Sequence, residues 1–339
     1  MAETFPGAVV IGAGPVGLFS VFTLGMAGVP ALVIDALPDV GGQCAALYPE
    51  KPIYDIPAHP SLLGAELVEC LSEQIKPFKP VFHLHQRVQR LGRSEDGWLA
   101  ETDKGQSFRA KAVIIASGAG AFGPKRPPLE GLERFEGSSV HYMVKRAADL
   151  RGKRVAIAGG GDSAVDWAIL LAETAAKLWL IHRRQQFRAS GDSVEKLMSL
   201  VGAGRIELVA PGQLAALEGE DGRLSAVVVD DLAGNRRALD ADTLLCFFGL
   251  LGDPGPLADW GLLLEEGRIK VDPASMASNL PGVFAIGDAA LYPGKLKLIL
   301  TGFAEAALAA RSAFACLHPG QSLHEVHSTS LGVPGRRGP

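Results

Sequence analysis

Two stretches of the chain, residues 8–35 and 154–184, share one pattern: an apolar strand, a glycine-rich turn, a helix and a second apolar strand. Two strands joined through a helix predict a βαβ unit with parallel strands, each buried on both faces. Two such units within 339 residues predict an α/β protein with two Rossmann-like domains.

The turn of the first unit contains Gly12, Gly14 and Gly17 in the spacing G-x-G-x-x-G. The first glycine allows the tight turn, the second lets a diphosphate approach the backbone, and the third lets the helix pack against the strand. Asp35 follows Gly14 by 21 residues, where a carboxylate accepts hydrogen bonds from a ribose 2′-hydroxyl. The first unit is therefore predicted to bind a dinucleotide with an unphosphorylated ribose, FAD or NAD.

The second unit repeats the turn as Gly159-x-Gly161-x-x-Ala, but 21 residues after Gly161 it has a histidine in place of the acid. A carboxylate there would repel a ribose 2′-phosphate, whereas guanidinium groups bind one by charge-assisted hydrogen bonds. The predicted cofactor is NADP, and its 2′-phosphate is expected to contact His182, Arg183, Arg184 and Arg188. A solvated basic helix start is the alternative reading of this loop.

Three later stretches favour FAD over NAD in the first unit. Residues 113–120 and 282–290 read as buried strands, and the second ends in Gly-Asp288, placed for the ribityl chain of a flavin. Residues 301–317 read as a helix capped by Thr301, whose N-terminus would stabilise negative charge on a flavin. This order predicts that the NADP domain, residues 122–250, is inserted into a discontinuous FAD domain of residues 1–121 and 251–339.

Composition narrows the partners and the compartment. The formal net charge is −4, so no overall basic field suggests nucleic acid. The four cysteines, at 44, 70, 246 and 316, show no zinc spacing and no C-x-x-C, which predicts reduced thiols in the cytoplasm. A membrane span over the apolar residues 8–34 is the alternative, but glycine and proline divide that run into the predicted strand Ala8–Ile11, helix Pro15–Ala27 and a strand ending at Asp35.

Over essentially its whole length the chain resembles the thioredoxin-reductase-like flavoproteins. Thioredoxin reductases carry a redox-active C-x-x-C before the second glycine motif, where this chain has Met143 and Arg146. The glutathione-reductase branch has C-x-x-x-x-C after G-G-x, where this chain has Cys44 but Pro49. Neither disulfide is therefore expected, so electrons would not leave the flavin as a dithiol.

Within this group the chain is most similar to the thioredoxin-reductase-like ferredoxin/flavodoxin–NADP reductases, which lack the disulfide and work as homodimers. The similarity rests on GGQCAALYPEKPIYDIP, HYMVK, GGGDSAVDWA, HRR..FRA, GDAALYPGKLKLI and VHSTSL. It implies electron transfer between NADPH and ferredoxin or flavodoxin, with FAD and NADP as cofactors and no metal. It also assigns Asp162 and Ser163 to the NADP site.

The resemblance further implies individual roles around the flavin. Tyr48 would stack on one face of the ring, and His327 of the partner subunit on the other, with Thr329 beside it. The remaining FAD contacts would be the side chains of Asp35, Gln43 and Asp288, with Val88 and Phe122 contributing backbone or packing contacts. A core tyrosine and a tail histidine are the alternative readings of Tyr48 and His327.

Two other functions remain open from the sequence. Phe135-x-Gly137-x-x-x-His141 matches the front of a flavin-monooxygenase signature, although Lys145 stands where an aromatic residue is usual. A non-catalytic NADPH- or flavin-sensing protein is the second alternative. A basic landing patch for an acidic carrier is expected from Lys145, Arg146, Lys295 and Lys297, unless these are solvated surface residues.

Overall fold

The computed structural model describes residues 3–118, 121–144, 146–231, 234–253, 255–323 and 332–333. The chain divides into two compact units, Met1–Phe122 with Gly252–Pro339, and Gly123–Leu251. At each junction the chain enters the next unit one residue later than the sequence predicts. The two crossing segments, residues 121–124 and 250–253, pair as a two-stranded sheet.

The described residues form six α-helices, five short 3-10 helices and 24 strands. The α-helices are α1 (Pro15–Met26), α2 (Gly42–Ala46), α3 (Gly64–Ile75), α4 (Asp162–Leu171), α5 (Gly191–Gly202) and α6 (Ile299–Leu317). The 3-10 helices are Lys76–Phe78, Leu132–Arg134, Ala147–Leu150, Gly255–Asp259 and Gly287–Ala289. The strands are β1 (Glu3–Thr4), β2 (Ala8–Ile11), β3 (Ala31–Ile34), β4 (Pro52–Ile53), β5 (Leu62–Leu63), β6 (Val81–His83), β7 (Val88–Ser94), β8 (Gly97–Thr102), β9 (Ser107–Ala110), β10 (Ala112–Ile115), β11 (Ala121–Pro124), β12 (Val140–His141), β13 (Arg154–Gly159), β14 (Lys177–Ile181), β15 (Glu207–Val209), β16 (Gly212–Glu220), β17 (Arg223–Asp231), β18 (Arg236–Leu239), β19 (Thr243–Phe247), β20 (Leu250–Asp253), β21 (Leu264–Glu265), β22 (Arg268–Lys270), β23 (Val283–Ala285) and β24 (Ala290–Leu291).

The first unit is built on a parallel sheet of order β23-β10-β2-β3-β6. Alternate residues of its strands face opposite layers, so Val10 packs towards α1, α3 and α6, and Val9 packs towards the β1-β9-β8-β7 sheet. Both faces are covered, which is why the strands are continuous apolar runs. The glycine-motif strand β2 is central, and its carboxyl end opens towards the cavity described below.

The second unit repeats this arrangement with a parallel sheet of order β12-β19-β13-β14-β15. Ile157 of β13 packs with α4 and α5, while Ala156 packs with the antiparallel β16-β17-β18 sheet. In both units the strand before the glycine turn is flanked by the next strand in the chain and by a later one. The predicted α/β fold with two Rossmann-like domains, the second inserted into the first, is therefore confirmed.

Helix α6 corrects one prediction. It begins at Ile299 after an extended Leu298, without a side-chain cap, so Thr301 lies inside the first turn and does not cap it. Leu298 and Ile299 line the cavity, so the helix begins at the cavity wall. The helix has the length and hydropathy of a membrane span, but it carries the buried Glu305 and packs its alanine face in the core of the first unit, as core helices do.

Candidate functional site

A cavity of about 410 Å³ lies in the first unit, at the carboxyl ends of the parallel strands. This is where open α/β sheets bind their ligands. The predicted residues Gly12, Gly14, Asp35, Gln43, Tyr48, Val88 and Asp288 all line it. These residues come from five separate segments of the chain, so the fold brings them together as the sequence predicts.

The glycine turn forms part of the cavity wall, and neighbouring backbone atoms lie too close to leave room for side chains in it. A Cβ at Gly12, whose φ is +114°, would lie 2.4 Å from the carbonyl oxygen of Ala116. Gly17 does not line the cavity; a Cβ there would lie 2.0 Å from the carbonyl oxygen of Gly12, so glycine is needed for α1 to pack against β2. Gly14 lines the cavity at the N-terminus of α1, where unpaired N–H groups favour an anion.

Asp35 lies at the end of β3 and is held by backbone groups. Its Oδ2 accepts the N–H of Ala13 at 2.5 Å, and its Oδ1 accepts the N–H of Leu37 at 2.7 Å. Burial raises the pKa of Asp35, and the two backbone hydrogen bonds oppose that rise. Each carboxylate oxygen can accept a second hydrogen bond, so this orientation remains compatible with a ribose hydroxyl in the cavity.

Tyr48 follows α2 and faces the same cavity. Its hydroxyl donates to Oε1 of Gln43 at 3.3 Å, and burial, with Cys44 and Asp288 nearby, raises the pKa of the phenol well above its ordinary value. The ring is therefore a neutral, oriented aromatic surface at neutral pH. Cys44 is buried beside it, and burial raises the pKa of its thiol to about 11, so the thiol stays protonated.

Two polar residues of the cavity were missed by sequence reasoning. Oε1 of Gln86 and Oγ of Ser117 are buried without a hydrogen-bond partner in the described chain, and both residues line the cavity. Buried polar atoms left unpaired are costly, so they indicate a polar ligand in this space. Both residues follow parallel strands, β6 and β10, at the carboxyl edge of the sheet. Their position after these strands is the sequence feature that could have identified them as ligand-binding residues. Together with the glycine turn and Asp35, they fit the phosphates, ribose and ring amides of FAD.

Three predicted flavin contacts, those of Phe122, His327 and Thr329, stay predictions. Phe122 belongs to β11, the strand that leaves the first unit. His327 and Thr329 lie outside the described residues.

The second unit presents its basic loop beside its own glycine turn. The N–H of Arg188 donates to the carbonyl of Gly160 at 2.8 Å, and the N–H of Ser190 donates to Oδ1 of Asp162 at 3.0 Å. Gly161 caps α4, and Asp162 and Ser163 form its first turn. The predicted phosphate ligands Arg183, Arg184 and Arg188 are exposed. The loop is thus held against the glycine turn while its guanidinium groups remain accessible.

Gly159 follows the same steric rule as Gly12. A Cβ at Gly159, whose φ is +159°, would lie 2.6 Å from the carbonyl oxygen of Phe247 and 2.9 Å from the Cβ of Ala164. The close approach of β19 and α4 to the turn therefore requires glycine at this position.

His182 differs from the basic ligand that the sequence suggested. Its side chain is buried, its ring stacks on Phe187 at 5.0 Å, and Nε2 donates to the carbonyl of Gln186 at 3.1 Å. Burial lowers the pKa of His182, and the three neighbouring arginines lower it further. It is therefore a neutral residue supporting the loop, not a fourth positive charge, because a buried imidazolium beside three guanidinium groups is unfavourable.

The proposed landing patch is also corrected. The side chain of Lys295 is 3% exposed and forms an ion pair with Glu305, so it does not contribute to a surface. Arg146, in the second unit, pairs with Asp149 at 2.7 Å, and Lys297 is an exposed residue at the cavity of the first unit. Lys145 lies outside the described residues.

No disulfide joins the cysteines, all four of which are within the described ranges. In those ranges no cluster of three His, Cys, Asp or Glu residues is placed to hold a metal ion. The monooxygenase-like residues have structural surroundings: Phe135 is in the core of the second unit, and its carbonyl accepts the N–H groups of Ser138, Ser139 and Val140. Phe135 therefore packs in the core and closes this turn.

The chain is similar to known proteins over most of its length. Residues 7–312 match the family described as pyridine nucleotide-disulphide oxidoreductase. A protein of Paramagnetospirillum magneticum (strain ATCC 700264 / AMB-1) named ferredoxin–NADP reductase is 57% identical over 98% of this chain and 99% of its own. The ferredoxin–NADP reductase of Rhodospirillum rubrum (strain ATCC 11170 / ATH 1.1.1 / DSM 467 / LMG 4362 / NCIMB 8255 / S1) is 54% identical over 96% of each chain.

Solved structures agree with the fold. Thioredoxin reductase of T. acidophilum has a TM-score of 0.79 at 23% identity, over 92% of this chain and 98% of its own. Thioredoxin reductase of Lactococcus lactis has a TM-score of 0.78 at 24% identity, with the same coverage. The chain therefore belongs to the pyridine nucleotide-disulphide oxidoreductase family, in the group whose curated relatives are named ferredoxin–NADP reductase.

Proposed function

We propose that this protein is an FAD-dependent ferredoxin–NADP reductase that transfers electrons between NADPH and ferredoxin or flavodoxin without a redox-active disulfide. The observation that carries the proposal is that the chain has two parallel sheets, each with a glycine turn, but with residues of opposite charge at the ribose position. The first unit has Asp35 there, and the second has the arginine loop. The names of the full-length relatives support the same activity.

The first unit would hold FAD through groups that the structure brings to one cavity. The turn at Gly12 and Gly14 and the N-terminus of α1 accommodate the diphosphate, and Asp35 accepts a ribose hydroxyl. Tyr48 offers a neutral ring for stacking, and Asp288 lies at the strand end for the ribityl chain. When bound, FAD supplies chemistry that amino acids lack, the acceptance of a hydride and the release of single electrons.

The second unit would bind NADPH through its exposed arginines. The loop that corresponds to Asp35 of the first unit is positively charged here, because it contains Arg183, Arg184 and Arg188. The neutral His182 supports this loop. Guanidinium groups recognise a phosphate by paired hydrogen bonds, so they distinguish NADPH from NADH.

The cysteines would take no part in electron transfer. Cys44 is the one cysteine lining the cavity, and its thiol, protonated at neutral pH, has no cysteine partner. Electrons would leave one at a time to a carrier protein, since no dithiol is available to carry a pair. Met143 and Arg146, where thioredoxin reductases have cysteines, support this part of the proposal.

Several finer features belong to the proposal. The protein would act as a cytoplasmic homodimer, in which His327 of one subunit covers the flavin face opposite Tyr48 of the other, with Thr329 beside it. Support comes from the sequence stretch VHSTSL and from the four unpaired cysteines, which are typical of a reducing compartment.

Anaerobic stopped-flow spectroscopy tests this function. The purified protein is mixed with NADPH or NADH, and the reduced protein is then mixed with ferredoxin, flavodoxin or thioredoxin. Fast bleaching of the flavin by NADPH, followed by reoxidation with ferredoxin or flavodoxin but not thioredoxin, is expected. Very slow bleaching would favour a sensing protein. In a separate aerobic assay, NADPH-driven oxygenation of an added substrate would favour a monooxygenase.

A further inference from the structure

A buried charged cluster lies behind the cavity of the first unit. The side chains of Glu305 on α6 and Lys295 on the preceding loop are 2% and 3% exposed, and they form an ion pair. Oε1 of Glu305 also accepts the hydroxyl of Tyr292 at 2.6 Å, while Oε2 accepts the backbone N–H of Gly287 at 2.7 Å. Each carboxylate oxygen therefore has a defined partner.

The cluster connects two segments of the cavity wall. Gly287 and Asp288 line the cavity at the end of β23, and Lys297, Leu298 and Ile299 line it from the loop that leads into α6. Glu305, Lys295 and Tyr292 do not line it. One oxygen of Glu305 holds the first segment, and the other holds the loop that leads to the second.

The position of Gly287 is restricted from a second side. Its φ is +66°, and a Cβ there would lie 3.4 Å from a methyl group of Val16, which also lines the cavity from α1. The Gly287 N–H is thus directed to Glu305 while its Cα faces α1. A shift of this turn would move Asp288, the next residue, within the cavity.

A buried ion pair is costly to form, and it contributes little stability compared with apolar side chains of similar size. A charged acceptor, however, makes a stronger and more directional hydrogen bond to a backbone N–H than a neutral one. The pair is therefore better suited to fixing the position of a backbone group than to stabilising the fold.

We propose that Glu305 is a positioning residue of the flavin site, acting through Gly287 and paired with Lys295. This rests on the proposed function, because it requires FAD in the cavity of the first unit. Loss of the Gly287 hydrogen bond would misplace Asp288 and weaken FAD binding without unfolding the protein.

The test compares FAD affinity with the stability of the apoprotein. FAD is removed from the full-length protein, its Kd is measured by the quenching of FAD fluorescence, and the apoprotein Tm is measured separately. In Lys295→Met/Glu305→Leu the ion pair is replaced by apolar groups, which offsets the loss of the pair but leaves the Gly287 N–H and the Tyr292 hydroxyl without their acceptor, so the protein is expected to stay folded with a modestly lower Tm. The FAD Kd is expected to rise by about tenfold or more, the loss of one charge-assisted hydrogen bond.

Two further variants separate position from charge. Lys295→Met/Glu305→Gln keeps acceptor and donor groups at position 305 without a charge, and it is expected to recover FAD affinity to within about threefold of wild type. Glu305→Asp keeps the charge but shortens the side chain by one methylene, and it is expected to weaken FAD binding even where Tm is unchanged. Glu305→Asp remains informative if the apolar double variant does not fold.

The matched control is Asp242→Asn, which breaks a partly exposed pair with Arg154 in the second unit. It is expected to leave the FAD Kd unchanged. Wild-type FAD affinity in folded Lys295→Met/Glu305→Leu and in Glu305→Asp would overturn the positioning role. A wild-type apoprotein that does not bind FAD would instead overturn the proposed function.

Discussion

The imidazole of His182 lies directly against the backbone of Gly160: a Cβ added at Gly160 would come within 2.1 Å of Cε1 of the ring. The middle residue of the second glycine turn and the first residue of the basic loop are therefore in contact. The ring also donates to Gln186, so it fixes the distance between the glycine turn and the arginines.

This contact predicts that Gly160→Ala weakens NADPH binding. The methyl group would displace His182 and with it the loop of Arg183 and Arg184, so the KM for NADPH is expected to rise about tenfold or more, with FAD content unchanged. In the double variant with His182→Ala the clash is absent, and the loss is expected to be smaller than the sum of the two single losses. Additive losses would show that the two residues act independently.

Replacing Arg183 and Arg184 by alanine is expected to remove the preference for NADPH. Charge-assisted hydrogen bonds to the 2′-phosphate would be lost, so NADPH binding should weaken by about 100-fold or more. NADH lacks that phosphate and should bind almost as before. The measurement is the Kd of each nucleotide, and an equal loss for NADH would show that the arginines are structural.

His182 also predicts a pH dependence of stability. Its pKa is lowered in the folded protein by burial first, and then by Arg188, Arg183 and Arg184, so the unfolded chain takes up the proton at a higher pH than the folded one. The stabilisation is therefore present above the unfolded pKa of about 6.5 and is lost as the pH falls through the lower folded value. Tm is expected to fall less steeply between pH 7.5 and pH 5.5 in His182→Phe than in wild type. Parallel curves would contradict the buried, neutral state.

The cysteines are expected to react very differently with iodoacetamide. Burial raises the pKa of Cys44 to about 11 and that of Cys246 to about 12, whereas Cys70 is exposed. Since the thiolate is the reactive form, Cys70 should be alkylated at pH 8 while Cys44 and Cys246 remain unmodified, as mass spectrometry of the native protein would show.

Changing all four cysteines to serine should preserve ferredoxin reduction. A folded, FAD-containing variant without that activity would indicate a thiol mechanism.

Deletion of residues 325–339 tests the proposed stacking of His327. FAD is expected to stay bound, because the glycine turn and the cavity residues are unchanged, and the proposed dimer is expected to remain. One flavin face would become accessible, so NADPH oxidation by oxygen should increase relative to ferredoxin reduction. Flavin spectra and turnover identical to the full-length protein would exclude this role for the tail.

Local pattern was sufficient for the architecture. The strand Ala8–Ile11 was predicted to the residue, and α1 ends one residue before the predicted position, because strand, turn and helix signals lie within a few residues of one another. Gly12, Gly14 and Asp35 were placed in the cavity for the same reason, since the βαβ unit fixes their spacing.

Tertiary structure decided the state of individual side chains. His182 and Lys295 were both predicted as accessible cations, but one is neutral beneath Gly160 and the other is paired with Glu305. The burial of His182 and Lys295 depends on how loops and turns pack against other segments of the chain. Hydrophobic periodicity does not predict that packing. Gln86 and Ser117 became candidate ligands only when folding left them unpaired in a cavity. Sequence thus determined which nucleotide folds form, and three-dimensional packing determined which polar groups remain available to bind, because desolvation and pairing are properties of the folded surroundings.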